Sequence, residues 1–193
     1  MAQSTGPKKI KCSVFISGNG SNLKSLIQFS KKKSSPISIQ LIISDNAKAK
    51  GLKFGKIFKI SNKVFNYKNK LIAEKKIISE IKNKKIKLIC LAGFMRILSK
   101  SFIKNFKGQI LNIHPSLLPK YKGLNTHQRA ISNKEKYSGC TVHLVNSRLD
   151  SGKIILQKKV KISKFDTHKS LAKKILVQEH KLYPKAIRKA FSL

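Results

Sequence analysis

The sequence predicts an α/β fold: a mostly parallel, twisted sheet with helices on both faces and an antiparallel strand pair near the C-terminus. Three observations carry this. Short β-rich apolar runs alternate along the chain with segments of helical spacing, the pattern of strand–helix–strand units. Strands such as "CSVFIS" and "IKLICLAGF" are largely apolar rather than alternating, so both of their faces are covered. The last two strand candidates are joined only by "SRLDSG", too short for a crossover, so they pair antiparallel. At 193 residues the chain is expected to form one domain, 1–193, burying roughly 70% of its unfolded surface with no disulfide staple.

The elements follow in order. Residues 1–9 are polar and expected to be loose, and "CSVFIS" (12–17) is the first buried strand. After "GNGSN" a helix begins near Ser21, with Leu23, Leu26 and Ile27 on one face. "ISIQLIISD" (37–45) is the second strand, and "NAKAKGLKFGKIFKI" (46–60) suggests a short helix, a glycine turn and a third short strand. Residues 67–85 carry Leu71, Ile72, Ile78 and Ile81 at helical spacing, with Glu74 and Glu80 among lysines as surface pairs. "IKLICLAGF" (86–94) is the central strand, "SKSFIKNF" a short helix and "QILNIH" a further strand. A region rich in proline, glycine and polar residues then runs to about residue 139, with one helical patch near "THQRAIS"; loops of this length are usually functional. "GCTVHLVN" and "KIILQKKVKI" are the closing strands. Residues 166–190 form the last helix, N-capped by Asp166 and kinked or ended by Pro184.

Composition narrows the function classes. The formal charge is +36, from 43 basic and 7 acidic residues, which invites a nucleic-acid reading. Only four of the basic residues are arginines (Arg96, Arg129, Arg148, Arg188), and the lysines are spread over every segment rather than gathered in a tail or stripe. Base and phosphate readers favour arginine forks, so a general lysine bias explains the charge better than a specific nucleic-acid partner. A weak, salt-sensitive attraction to polyanions follows in either case. Cys12, Cys90 and Cys140 lie far apart in apolar segments without a C-x-x-C pair, so buried free thiols are expected and no metal site. No signal-peptide core and no apolar run near 20 residues occurs, which points to a cytoplasmic protein without a membrane partner.

Every polar feature of note falls at the carboxyl end of a strand, where such folds bind ligands. In "ISGNGSN" (16–22), Gly18 and Gly20 permit positive φ and close backbone approach, and the helix start beyond them offers N–H groups to an anion. The pattern is neither G-x-G-x-x-G nor a Walker motif, so a single phosphate fits better than a dinucleotide; a plain strand–helix turn is the alternative. In "LNIH", Asn112 and His114 share a face, about 6–7 Å apart along the strand, while Leu111 and Ile113 face the other way. An amide that polarises a carbonyl oxygen beside an imidazole that manages a proton suits acyl transfer, and Pro115 holds His114 extended. The alternative is a hydrogen-bonded core histidine. Asp150, on the turn between the last strands, would raise the pKa of His114 and favour imidazolium if the two are close; "DSG" alone reads as a turn. Glu179 on the last helix could meet an amine. "AGFMRILS" (92–99) could hold a flat ring by its backbone or be a buried turn.

Together "SGNGSNL", "LAGFMRILS", "LNIHPSLLP", "GCTVHLV", "LDSGKIILQ" and "QEHKLYP" resemble, in order and spacing, the folate-dependent glycinamide ribonucleotide formyltransferases of purine synthesis. The match runs from about residue 11 into the closing helix. The resemblance implies a Rossmann-like formyltransferase fold and transfer of a formyl group from 10-formyltetrahydrofolate, as co-substrate, to the amine of glycinamide ribonucleotide, in a monomer or homodimer. It implies a catalytic trio at Asn112, His114 and Asp150, a ribonucleotide phosphate at Gly20, Ser21, Asn22, Leu23 and Lys24, and a glycinamide end held by Glu179. It places the folate ring against Met95, Arg96, Ile97 and Leu98 and near Asn112, with Lys70 as the basic folate contact. Lys70 departs from the arginine common in relatives and lacks its planar fork. Asn125 stands where many relatives carry histidine, while His127 remains, so no loop histidine receives a catalytic role.

Overall fold

A computed structural model of the chain describes residues 9–191. Its elements are β1 (Ile10–Ile16), α1 (Ser21–Ser30), β2 (Ile37–Ser44), a 3-10 turn (Lys50–Leu52), α2 (Lys53–Phe58), β3 (Ser61–Val64), α3 (Lys70–Asn83), β4 (Leu88–Leu91), α4 (Lys100–Asn105), β5 (Gln109–His114), α5 (Thr126–Ser132), β6 (Tyr137–Leu144), β7 (Ile154–Lys161) and α6 (His168–Ala190). Most of the expected loose segment 1–9 lies outside the described residues. Its last member, Lys9, donates from Nζ to the carbonyls of Ser30 and Lys32.

One sheet of seven strands runs β3-β2-β1-β4-β5-β6-β7. It is parallel as far as β5, and β6 is antiparallel to both neighbours. The expected antiparallel ending is therefore present and begins one strand earlier, at β5–β6. Two cores follow from the period-2 alternation of the central strands. Cys12, Val14 and Ile16 of β1 pack on one side with Leu26 of α1 and Ile175 of α6. Phe15, between them in sequence, packs on the other with Ile77 and Ile81 of α3 and Phe102 of α4. The chain leaves β1 toward β2 on one side and returns to β4 on the other, so the carboxyl ends of β1 and β4 part and open a crevice.

Four expectations change. The third strand does not lie within 46–60: that segment is helical to Phe58, and β3 follows at 61–64 as an edge strand exposed at all four residues, with no apolar pattern to announce it. On α3, Leu71 and Ile72 are exposed, and the buried stripe is Ala73, Ile77 and Ile81, spaced i, i+4, i+8. That rotation buries Glu74, which accepts the Ser99 N–H at 2.9 Å instead of pairing on the surface; Glu80 does pair, with Lys63 at 3.2 Å. Thr167, not Asp166, caps α6 through a reciprocal capping box with Ser170, while Asp166 accepts from the Ser163 N–H, Ser170 Oγ and Lys174 Nζ.

Pro184 neither ends α6 nor leaves an orphan. The carbonyl four residues back, on His180, loses its helical donor and accepts from Ser25 Oγ of α1 at 3.0 Å. All three cysteines are free and buried, as expected. Among the described residues no helix is long and apolar enough to cross a membrane.

Candidate active site

The site is built outward from β5. Leu111 and Ile113 lie in the core, which turns Asn112 and His114 to the opposite face, as the alternation requires. The chain beyond Pro115 is pinned to the sheet rather than loose. Thr141 Oγ1 donates to the Ser116 carbonyl at 2.6 Å and accepts the Leu118 N–H, while Gln157 Nε2 donates to the Leu118 carbonyl at 2.8 Å. This course delivers the Tyr121 carbonyl to 2.8 Å from His114 Nε2. A carbonyl only accepts, so Nε2 carries the ring proton and Nδ1 is left as the basic nitrogen.

Asp150 meets that nitrogen. It sits in the β6–β7 turn with φ +43°, and its Oδ2 lies 3.4 Å from His114 Nδ1. The same oxygen accepts the Gly123 N–H at 2.9 Å. Burial pushes the Asp150 carboxyl up, but the facing His143, the Gly123 N–H and His114 together hold it below the usual carboxylate range. His114 behaves differently from the sequence expectation. Burial lowers its pKa below the ordinary 6.5, and this outweighs the upward pull of the Tyr121 carbonyl and Asp150. The carboxylate favours imidazolium as expected, yet burial outweighs it, so the ring is protonated less readily than a free imidazole.

His143 completes the cluster, and the sequence did not single it out. It stands directly across from Asn112 in the β5–β6 ladder. Its Nδ1 lies 2.8 Å from the Leu144 carbonyl and holds a proton; in the neutral ring Nε2, 3.6 Å from Asp150 Oδ1, is an acceptor, and in the protonated ring it donates to that carboxylate. Asn112 Nδ2 donates to Nε2 of the neutral ring at 3.2 Å, which fixes the amide and leaves its second N–H unclaimed. The signal was present in "TVHLV": a histidine in register with an already suspected asparagine on the partner strand.

The glycine turn lies at the start of α1. Gly20 occupies the N-cap with φ +72° and no side chain caps the helix, so its first N–H groups remain available to an anion. Only Gly20 needs to be glycine. A Cβ there would stand 2.7 Å from Gly51 Cα, whereas at Gly18 it would meet nothing within 4 Å and φ is not positive. Gly20→Ala is expected to cost about 1–3 kcal/mol through the left-handed φ and the clash, and to weaken anion binding. Denaturant unfolding with phosphate titration checks this; unchanged midpoints would remove the close packing of the turn as its reason.

Of the five residues predicted for this turn, Leu23 is buried in the core and contributes only backbone, and Lys24 is exposed. Asn22 reaches the crevice. Its Nδ2 donates to Glu179 Oε2 at 2.6 Å, joining α1 to α6, and its own Oδ1 is buried without a partner. Burial raises the pKa of Glu179 despite the Asn22 hydrogen bond.

Residues 93–98, beyond β4, form the opposite wall. Gly93 has φ +75°, its carbonyl accepts the Ser17 N–H, and the Met95 N–H donates to Ser17 Oγ at 2.8 Å. Asp45 anchors the wall from behind: it accepts from Ser17 Oγ and, at 2.6 Å, from Arg96 Nε. The Arg96 side chain is thus committed to Asp45. Met95 and Ile97 are each 64% exposed at the cleft, and Leu98 is buried as an apolar floor. The cleft of about 560 Å³ brings together Asn22, Glu179, the 93–98 wall, Asn112, His114, His143 and Asp150. Lys70 opens α3 and is not among the residues that line it. Asn125 and His127 do line it, and burial lowers the pKa of His127. Among the described residues no group of three His, Cys, Asp or Glu side chains is arranged to hold a metal ion.

His114, His127 and His180 all have lowered pKa values, burial being the first cause in each. A depressed imidazole stabilises the fold above its unfolded value and loses that contribution as pH falls through the folded one. Glu179, being raised, acts in the opposite sense. Three groups against one predict a lower melting temperature at pH 5 than at pH 7, with a smaller difference in His127→Gln. An equal or higher value at pH 5 would contradict this.

The formyl transferase family matches residues 10–187. The phosphoribosylglycinamide formyltransferase of Haemophilus influenzae is 42% identical over 181 residues, covering 92% of this chain and 85% of that protein. The human trifunctional purine biosynthetic protein adenosine-3 is 40% identical over 184 residues, and the chain spans 18% of its length. A crystal structure of phosphoribosylglycinamide formyltransferase from Brucella melitensis superposes with a TM-score of 0.89 at 42% identity, covering 95% of this chain and 96% of that one.

Proposed function

Because the chain belongs to the formyl transferase family, we propose that it transfers the formyl group of 10-formyltetrahydrofolate to the amine of glycinamide ribonucleotide, a step of purine biosynthesis. The observation that carries the reading is the meeting of Asn112, His114 and Asp150 in one cleft with Asn22, from the uncapped start of α1, and Glu179. A phosphate is served by the helix start, an amine by Glu179 and Asn22 Oδ1, and a flat ring by the apolar and backbone groups of 93–98.

The chemistry follows from the groups present. The substrate amine, oriented by Glu179, attacks the formyl carbon, and the carbonyl oxygen becomes an oxyanion. Asn112 donates its unclaimed N–H to it. His114 takes the proton released by the attacking amine on Nδ1 as the negative charge grows, Asp150 supports the resulting imidazolium, and the ring passes that proton on toward the leaving nitrogen as the intermediate collapses. Collapse of the intermediate breaks the bond to the folate nitrogen. The amine gives up one proton and the leaving nitrogen gains one, relayed by a water at Asp150.

The test is release of tetrahydrofolate from 10-formyltetrahydrofolate with and without glycinamide ribonucleotide. Release that requires the ribonucleotide supports the reading. Release independent of it would make the protein a hydrolase, and none at all would end the proposal.

A further inference from the structure

While neutral, His114 has one ring proton and two acceptors competing for it. The Tyr121 carbonyl stands 2.8 Å from Nε2, and Asp150 Oδ2 stands 3.4 Å from Nδ1. An anionic carboxylate is the stronger acceptor, so a loosened carbonyl would let the proton move to Nδ1, and that nitrogen could no longer act as a base. The tautomer therefore depends on how firmly the Tyr121 carbonyl is held. Tyr121 presents it from an unfavourable backbone: φ is +56°, in the left-handed region that a residue with a Cβ seldom occupies. Three neighbours grip its side chain. The hydroxyl donates to Glu135 Oε1 at 2.8 Å and accepts from Asn133 Nδ2 at 2.9 Å, and the Arg129 guanidinium lies over the ring, 5.0 Å from its centroid. Lys120, the preceding residue, pairs with the same Glu135 oxygen at 2.8 Å, and its carbonyl accepts from Ser116 Oγ at 2.7 Å. One carboxylate, in the turn between α5 and β6, thus takes hold of two successive residues of the chain that caps His114.

We propose that Glu135, which does not line the cleft, is a positioning residue: through the Tyr121 hydroxyl it keeps the Tyr121 carbonyl on His114 Nε2 and so keeps Nδ1 free to take a proton. Asn133 does not replace it, because its amide nitrogen donates and leaves the hydroxyl proton without an acceptor. With the Glu135 carboxylate gone, Tyr121 relaxes toward negative φ and its carbonyl turns away. The ring proton then moves to Nδ1, donates to Asp150, and blocks the base. The kinetic consequence rests on the proposed formyl transfer, whereas the tautomer belongs to the unliganded protein and stands or falls without it.

Ring-nitrogen chemical shifts of isotopically labelled histidine, recorded at about pH 8 where imidazole is neutral, read the position of the His114 proton. The unsubstituted protein should show Nε2–H, and both Glu135→Ala and Tyr121→Phe should gain a resolved Nδ1–H component. In each, kcat should fall at least about fivefold while both Michaelis constants stay within about twofold, the mark of an interaction that serves the transition state alone. The double variant should lose little more than the worse single one, since both cut the same link. Glu135→Gln, whose amide oxygen still accepts from the hydroxyl, should keep the tautomer and most of the turnover. Should Glu135→Ala fail to fold, Tyr121→Phe, which retains the ring and the backbone, carries the same test. An unchanged tautomer, a shifted tautomer beside full turnover, additive losses in the double variant, or a Glu135→Gln protein as impaired as Glu135→Ala would each overturn the proposal.

Discussion

His114→Ala is expected to lower kcat at least about 100-fold while the protein stays folded. The side chain is buried, hydrogen-bonded to the Tyr121 carbonyl and 3.4 Å from Asp150, so its loss removes the imidazole that Asp150 supports in becoming positive beside the developing oxyanion. A 100-fold loss corresponds to about 2.7 kcal/mol of transition-state stabilisation. The Michaelis constants should change much less, because the anion turn at Gly20 and the wall at 93–98 do not depend on the ring. Steady-state kinetics and circular dichroism on the same preparation check both parts. Near-normal turnover in a folded variant would remove His114 from the chemistry.

Asp150→Asn should be comparably severe, at least about 100-fold in kcat, and should carry a pH signature. The amide can still accept the Gly123 N–H and keep the turn in place. What disappears is the negative charge that pulls the His114 pKa upward against burial. With that pull gone, the imidazole pKa falls further below 6.5, and protonation during turnover becomes harder at neutral pH. Activity should therefore recover in part as pH is lowered, by a larger factor than in the wild type. A pH–rate profile of the variant that is simply scaled down, with the same limbs as the wild type, would assign Asp150 a structural role only.

The strand that carries Asn112 and His114 was legible in the sequence because of its simple alternation. A six-residue run with alternating faces places Asn112 beside His114, and the structure ends β5 at the same residue. Asp150 was legible only as a turn, since nothing local says which distant side chain a turn faces. His143 and the Tyr121 carbonyl were missed: one becomes visible only when the cross-strand register is known, and the other is a backbone group delivered by hydrogen bonds from Thr141 and Gln157. Glu74 was misread because α3 offers two candidate apolar stripes, and the choice between them depends on what the helix packs against. A hexamer such as α2, followed by an exposed edge strand, has too little periodicity to separate helix from strand.

Asn22 and Glu179 lie 2.6 Å apart in space and 157 residues apart along the chain. A polypeptide emerging from the ribosome thus carries its glycine turn and Asn22 long before the acid that Asn22 holds has been synthesised. Every message truncated upstream of the Glu179 codon yields a product lacking that acid, however much of the sheet it encodes.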